Sequence, residues 1–189
     1  MESSESISSE RPSAEVRGRR GSPFRAALDR IGRWFPENPF PEPITTALPF
    51  DVPADRIWGA LRFYEEIPTP PPVLLRLLMP TPIRSTGQKN QPGASIVCTY
   101  EGGHLVKRIT SVDAPRLLRF EVVEQDLGIE NCISLAEGSY EIRDRGRGCE
   151  LLLTTTYRGR LRPRWLWRPL ERALAHAVHR HILRGIRDL

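Results

Sequence analysis

The polar and apolar residues of this chain alternate as in β-strands over most of its length and follow a helical spacing in a few stretches. An apolar run over residues 44–50 predicts a first strand, and Pro53, followed by apolar residues at helical spacing, predicts a helix start. A second short helix is predicted over residues 73–79, between prolines. Six strand-like runs come next, separated by Gly, Pro, Asn and Asp turns: residues 83–86, 94–101, 104–112, 117–125, 133–143 and 149–158.

A long amphipathic helix is predicted at the C-terminus, over residues 163–187. Its apolar residues recur three and four positions apart, so they form a stripe that is expected to face the sheet. The stripe consists of Leu166, Leu170, Ala173, Leu174, Ala177, Val178 and Ile182. At about 100° per residue His181 falls near the middle of this stripe, either as a cavity-facing imidazole or as a satisfied core histidine. His176 and His179 fall on the other side and are interpreted as solvated surface histidines rather than metal ligands.

The order of these elements predicts an α+β domain that begins near residue 44 and extends to residue 189. A curved antiparallel sheet of seven strands, with its helices on one side, must bury the stripe of the long helix against its concave face. Residues 1–43 form an extension to this domain. Residues 1–21 have little to bury and are predicted to be disordered, and residues 24–35 to form a short amphipathic helix that packs on the domain or on a partner.

Composition adds little to this picture but excludes several classes of protein. A chain of 189 residues, 39% of them hydrophobic, is long enough for one domain with an appendage. It has no apolar run of membrane-spanning length and no secretion signal at its N-terminus, so we expect a cytoplasmic protein. The three cysteines match neither a disulfide framework nor a zinc motif and are expected to be reduced.

The net charge of +5 comes from the C-terminal segment. Residues 158–189 carry nine arginines against Glu171 and Asp188, whereas residues 44–157 carry twelve basic and fourteen acidic residues. With Trp165 and Trp167 nearby, these arginines are compatible with peripheral membrane contact. Codon bias or an arginine-rich surface explains them equally well, because only two of the 28 basic residues are lysines. No nucleic-acid partner is expected.

Short turns predict which side chains share a face of the sheet. A turn at Gly102-Gly103 places Cys98 opposite Lys107 and Ile96 opposite Ile109, and a turn at Ala114-Pro115 places Ile109 opposite Phe120. Both hairpins put the same apolar set on the core side. This set consists of Ile96, Ile109, Leu118, Phe120 and Val122.

The last hairpin, turning at Gly146-Arg147, pairs Tyr140 with Leu153 and directs Tyr157 inward. Tyr100 shares the inward face of its own hairpin. Each of these three phenols is interpreted either as a donor to a ligand or as a core hydrogen-bonding group.

Two charged residues, Lys107 and Glu124, are also predicted to face inward, diagonally across two strands. A charge that faces a core is costly unless it is paired or hydrated. Lys107 and Glu124 either line a partly hydrated cavity, as ligand-orienting or acid and base groups, or pair with each other near the rim of the sheet.

The segment Val52-Pro-Ala-Asp-Arg-Ile-Trp-Gly-Ala-Leu61 resembles the helix start that follows the first strand in the START/polyketide-cyclase/birch-allergen (SRPBCC) superfamily. The segment 111–120, Ser-Val-Asp-Ala-Pro-Arg-Leu-Leu-Arg-Phe, is similar to later strands of its members. The resemblance covers residues 44–189 and implies the helix-grip fold, in which the sheet wraps around the C-terminal helix. Members of the superfamily include ligand carriers, lipid-transfer domains, cyclases and dehydratases, so the resemblance does not define the chemistry.

The function that we predict is the binding of an apolar small molecule, such as a lipid, a polyketide or an aromatic compound, between the sheet and the long helix. The candidate ligand-binding residues are Tyr100, Lys107, Phe120, Glu124, Tyr140, Tyr157 and His181. A cyclase or dehydratase that uses acid and base groups in the same cavity is the alternative. A membrane-surface or interaction protein that uses the Arg/Trp-rich helix is a second alternative. The sequence contains no motif for a nucleophile, a metal or a cofactor, so neither a cofactor nor a metal is expected.

Overall fold

The computed structural model describes residues 23–187, so the predicted disorder of residues 1–21 lies outside the described residues. In chain order the elements are α1 (Pro23–Gly32), β1 (Glu42–Phe50), α2 (Ala54–Gly59), a 3₁₀ helix (Tyr64–Glu66), α3 (Val73–Leu78), β2 (Pro82–Gly87), β3 (Ser95–Tyr100), β4 (Gly103–Asp113), β5 (Leu117–Asp126), β6 (Ile133–Asp144), β7 (Cys149–Gly159) and α4 (Arg164–Arg187). The predicted α+β order is confirmed.

The seven strands form one antiparallel sheet in the order β1-β7-β6-β5-β4-β3-β2. Consecutive strands from β2 to β7 are neighbours joined by short connections, and the first strand, β1, pairs with the last strand, β7. The helical segment between β1 and β2 therefore crosses from one edge of the sheet to the other. With α4 packed against the sheet, this is the helix-grip arrangement.

The predicted faces of the strands are largely confirmed, although the β3–β4 hairpin has a different register and β-bulges interrupt the β4–β5 and β6–β7 pairings. Tyr140 lies opposite Leu153, as predicted for the last hairpin. In the β3–β4 hairpin, Cys98 lies opposite Leu105 rather than Lys107, because the chain turns one residue earlier than expected. This change moves each partner by two positions. Since side chains alternate with a period of two, the inward face keeps the same residues.

The predicted inward orientation of Glu124 is wrong, and a β-bulge is the reason. Val122 lies opposite Lys107, but Glu124 lies opposite Val106, so Val123 is an extra residue on β5. A bulge of this kind reverses the direction of the side chains that follow it. The Glu124 side chain is 60% exposed, and its carboxylate lies 2.9 Å from His104 Nε2.

Helix α4 has two apolar faces rather than the single stripe that the sequence predicts. The face against the sheet buries His179, Ile182, Leu183 and Ile186. Leu166 and Leu170, which the prediction placed on this face, are exposed on another side of the helix. The predicted stripe combines residues of both faces. Its centre therefore falls at His181, whereas the centre of the buried face lies at His179. No helix among residues 23–187 is both long enough and apolar enough to cross a membrane.

Helix α1 packs on the domain, as predicted, and a polar contact holds it there. The Asp29 carboxylate accepts hydrogen bonds from the backbone N–H and the side-chain amide of Asn131, each at 2.9 Å. Gly32 lies so close to the Asn131 backbone that a Cβ atom would overlap its carbonyl group. This contact joins the N-terminal helix to the connection between β5 and β6.

The centre of the core is aromatic and depends on a glycine. Phe63 meets the Phe120 ring edge to face at 5.2 Å and the Tyr140 ring at 5.7 Å. Phe120 also lies directly opposite Gly138 on the neighbouring strand. A Cβ atom at Gly138 would lie 2.9 Å from Phe120 Cε2 and 3.0 Å from the carbonyl oxygen of Thr154. Only a glycine therefore leaves room for the Phe120 ring in this position.

We expect Gly138→Ala to lower the free energy of unfolding by about 1–3 kcal/mol, because the added methyl group forces the Phe120 ring out of its packing. Urea denaturation measures this difference. The matched control is Ser139→Ala, one residue further on and on the opposite face of the sheet, which should change stability by less than about 0.5 kcal/mol. Equal effects of the two substitutions would contradict the packing argument.

Candidate functional site

A cavity of about 140 Å³ lies between α4 and the concave face of the sheet. Its walls are mainly apolar and come from the core; they include Phe63, Leu105, Phe120, Val122, Leu135 and Leu153. For comparison of size, an engineered apolar cavity of about 150 Å³ binds benzene. The cavity therefore has room for a group the size of one aromatic ring.

Three polar side chains, Glu65, Lys107 and Tyr100, form a hydrogen-bonded cluster in one wall of the cavity. Lys107 Nζ donates to both carboxylate oxygens of Glu65, at 3.1 Å and 3.0 Å. The Tyr100 hydroxyl donates to Glu65 Oε1. The side chains of Lys107 and Glu65 are 7% and 0% exposed, so this is a fully buried ion pair.

Local structure explains how Glu65 reaches this position. Its neighbour Glu66 accepts hydrogen bonds from the backbone N–H of Phe63 at 2.9 Å and from Ser85 Oγ at 3.2 Å, and it forms an ion pair with Lys89 at 2.9 Å. These bonds fix the 3₁₀ helix against β2. Adjacent residues of so short a helix point in different directions, so fixing Glu66 on the outside directs Glu65 into the core.

Aromatic rings complete the surroundings of the buried ammonium group. Lys107 Nζ lies 4.4 Å from the centroid of the Phe63 ring and 5.6 Å from that of Phe120. The faces of such rings carry partial negative charge and attract cations, most strongly where water is excluded. They offset part of the cost of removing the ammonium group from water.

The protonation states of the cluster follow from these contacts. Burial alone would lower the pKa of Lys107, but the Glu65 carboxylate and the Cys98 thiol raise it above its usual value. Burial and the negative charge of Glu65 both raise the pKa of Tyr100 well above its usual value. Lys107 is therefore a charged ammonium group at neutral pH, and the Tyr100 phenol is neutral.

The other two inward tyrosines differ in what their hydroxyl groups contact. The Tyr140 hydroxyl donates to the carbonyl oxygen of Arg62 at 2.8 Å. The Tyr157 hydroxyl is buried in the cavity wall and makes no hydrogen bond with any residue from 23 to 187. The Glu171 carboxylate lies nearby and accepts hydrogen bonds from Arg164 at 2.7 Å and 2.8 Å. Burial, together with the charges of Glu171 and Glu42, raises the pKa of Tyr157 to about 12, so the phenol is neutral.

The histidine that lines the cavity is His179, which the sequence analysis placed on the solvated side of the helix. It is 2% exposed. Both ring nitrogens are hydrogen-bonded to threonine hydroxyl groups: Thr155 Oγ1 lies 2.9 Å from Nε2, and Thr46 Oγ1 lies 3.0 Å from Nδ1. Thr46 Oγ1 also lies 2.7 Å from Nδ1 of His176. Burial, followed by the neighbouring His176, lowers the pKa of His179 to about 4. The buried imidazole is therefore neutral.

The prediction that His181 faces the cavity is wrong. His181 is not among the residues that line the cavity, because the buried face of α4 is centred on His179; its ring packs edge to face at 5.8 Å against Tyr64, which does line the cavity. Burial lowers the pKa of His181, and a backbone hydrogen bond with Thr69 partly opposes this shift.

Five of the seven candidate residues line the cavity: Tyr100, Lys107, Phe120, Tyr140 and Tyr157. Glu124 and His181 do not, and Glu65 and His179 were missed. An inward-facing lysine requires an acidic partner, and this requirement is the only feature of the sequence that points to Glu65. The local sequence does not distinguish Glu65 from Glu66. Among the described residues, no three His, Cys, Asp or Glu side chains converge as metal ligands.

The comparisons with known proteins agree on the fold. Three similar solved structures are TTHA0849 from Thermus thermophilus (TM-score 0.52, 16% identity), MLL2253 from Mesorhizobium loti (0.51, 12%) and an Aha1 dimer from Colwellia psychrerythraea (0.50, 12%). Each match covers 78% of this chain and 94–95% of the other chain. No protein-family model matches the sequence, and no curated protein does. The chain therefore has the helix-grip fold of these solved structures.

We expect Lys107→Met to lower the free energy of unfolding by about 3–5 kcal/mol, because it leaves the Glu65 carboxylate buried without its partner. The double variant Glu65→Gln/Lys107→Met removes both charges and should recover most of this loss. Urea denaturation of the two variants and the wild type tests the coupling. A double variant that is no more stable than Lys107→Met would contradict it.

We also expect the free energy of unfolding to decrease as the pH is lowered, because of His179. Between the usual histidine pKa of 6.5 and the folded value of about 4, the unfolded chain binds a proton that the folded chain does not. Lowering the pH from 7 to 5 should therefore cost about 2 kcal/mol from this residue alone. Denaturation at both pH values measures the loss, and His179→Gln should show a correspondingly smaller one. The same pH dependence in wild type and variant would exclude His179 as its source.

Proposed function

We propose that this protein binds an apolar small molecule, such as a lipid, a polyketide or an aromatic compound, in the cavity between the sheet and α4. The observation that carries the proposal is an apolar cavity of about 140 Å³ whose wall contains the Glu65, Lys107 and Tyr100 cluster. A core with no use for a ligand would gain stability by filling this space with side chains. Apolar walls with a few fixed polar groups are the usual composition of a small-molecule site.

The size of the cavity favours a compact ligand, or one compact part of a larger ligand. A space close to that of the benzene-binding cavity accommodates a single ring rather than a long acyl chain. Aromatic and cyclic polyketide groups fit this requirement better than an extended lipid does.

The polar groups favour a ligand with a neutral oxygen atom. The ammonium and carboxylate charges cancel within the cluster, so an additional charge on the ligand would lack a partner. The Tyr157 hydroxyl is buried without a hydrogen bond and would be satisfied by a carbonyl, ether or hydroxyl oxygen. We therefore propose an uncharged aromatic or cyclic compound that carries such an oxygen.

Catalysis of the cyclase or dehydratase kind is the second candidate function, and the same cluster favours it. An ammonium group held beside a carboxylate and a phenol is able to stabilise negative charge on a ligand carbonyl oxygen while the carboxylate accepts a proton. The two functions differ in whether the bound compound is converted. Turnover that is lost in Glu65→Gln would establish the enzyme, and binding without conversion would favour the carrier.

A pair of adjacent valines tests the location of the ligand. Val122 lines the cavity, whereas Val123 is 41% exposed on the outside of the bulge. Titration calorimetry should show that the wild type binds p-cresol and p-xylene. Val122→Phe should abolish this binding because the larger side chain fills the cavity, and Val123→Phe should preserve it. Tyr157→Phe should lower the affinity for p-cresol about 5-fold, the equivalent of one hydrogen bond, and leave the affinity for p-xylene unchanged.

Native mass spectrometry of the protein purified from its own source complements the titration, since a co-purifying aromatic or cyclic compound is expected. The proposal fails if neither probe binds, or if Val122→Phe and Val123→Phe have the same effect on binding.

A further inference from the structure

A second space, a groove of about 450 Å³, lies outside the sheet between α1, α3 and α4. Its walls are apolar side chains of these three helices and of the β5–β6 connection; they include Phe24, Leu28, Leu74, Leu78, Leu170 and Ala177. The groove borders the inner cavity and extends to the other face of α4; the five lining residues that the two spaces share are Met79, Ile129, Ile133, Glu171 and Leu174. Its volume is in the range of sites for drug-sized molecules.

One charged side chain in this groove has an unmet hydrogen-bonding capacity. Arg25 on α1 is 8% exposed, and its Nη1 is buried without a hydrogen-bond partner among the described residues. Burial lowers the pKa of Arg25, and the charge of Glu101 partly opposes this shift. A buried N–H group without an acceptor costs about 1–3 kcal/mol, and more when the group is charged. An oxyanion in the groove would remove this cost.

The charge of Glu101 acts on Arg25, but no acidic group among the described residues accepts a hydrogen bond from Nη1. Glu171, which also lines the groove, accepts hydrogen bonds from Arg164 at both oxygens. Asp29, one turn along α1 from Arg25, accepts two hydrogen bonds from Asn131. An anionic ligand would therefore meet an unsatisfied guanidinium nitrogen within an apolar surface.

The apolar part of the groove is exposed and requires an apolar occupant. Leu74 is 64% exposed and Leu170 is 54% exposed, and both line the groove beside Phe24. Nucleic acid would match the arginine but not the leucines.

We propose that the groove binds a single-chain anionic amphiphile, with its carboxylate on Arg25 and its apolar chain between α3 and α4. This site borders the inner cavity and takes a different class of ligand. The inner cavity takes a compact neutral molecule, and the groove takes an extended one with a negative charge. The two sites differ because the groove has a buried guanidinium nitrogen without a hydrogen bond, whereas the polar groups of the cavity cluster hydrogen-bond to one another.

Quenching of tryptophan fluorescence by 12-bromododecanoate tests the proposal, because Trp167 lies in the wall of the groove. We expect saturable quenching below the micelle concentration that is largely lost in Trp167→Phe. Titration calorimetry should show that Arg25→Met lowers the affinity for dodecanoate at least 10-fold and leaves the affinity for dodecanol unchanged. Arg30→Met is the matched control, since Arg30 is exposed on the same helix and its loss changes the net charge equally.

Two further variants separate this site from the inner cavity and keep the test valid if Arg25→Met is poorly folded. Ala177→Trp fills the groove and should abolish dodecanoate binding, whereas Val122→Phe fills the inner cavity and should preserve it. Equal affinity for dodecanoate and dodecanol would overturn the proposal. So would binding that Val122→Phe removes, or quenching seen only with phosphatidylglycerol vesicles and not with the free amphiphile.

Discussion

The buried ion pair between Lys107 and Glu65 connects the centre of the sheet to the helical segment that crosses it. Removing two charges from water costs several kcal/mol for each ion, and the cost is met only when both are fully hydrogen-bonded to each other and to their neighbours. This requirement fixes the 3₁₀ helix against β4. It also brings Phe63 over the ammonium group and Tyr100 to the carboxylate, so that one wall of the cavity follows from one pair of charges.

Helix α4 is held on the opposite side of the cavity by a different kind of contact. There the neutral imidazole of His179 joins Thr155 on β7 to Thr46 on β1. Hydrogen bonds to both ring nitrogens fix the rotation of the helix more strictly than apolar packing does, since apolar contacts have little directional preference. The cavity lies between these two polar attachments. Its apolar middle is the part of the core that neither attachment fills.

The two apolar faces of α4 explain why the protein has two separate spaces. One face closes the inner cavity with Val178 and Ile182, and the other forms the groove with Leu170 and Ala177. A helix that is apolar on two sides needs a partner on each side. The sheet is one partner, and helices α1 and α3 together form the other. Both helices are short, with 10 residues in α1 and 6 in α3, and Leu166 and Leu170 of α4 remain exposed on this second face.

The sequence alone was sufficient for the order of the elements and for most of the inward face of the sheet. Strand faces depend on a period of two, which is written in the sequence, and a turn displaced by one residue moves each strand partner by two positions and keeps that face. Tyr100, Lys107, Phe120, Tyr140 and Tyr157 were located in this way. These predictions needed only local spacing.

Tertiary structure decided the residues whose direction depends on distant contacts. The extra residue Val123 has no distinguishing composition, yet it turns Glu124 to the solvent. The apolar residues of α4 belong to two faces, and only the docking of the helix shows that His179 rather than His181 lies in the cavity. Glu65 and Glu66 are identical in type and adjacent in sequence. Which of them enters the core is determined by contacts with residues distant in sequence, Lys107 for Glu65 and Lys89 for Glu66.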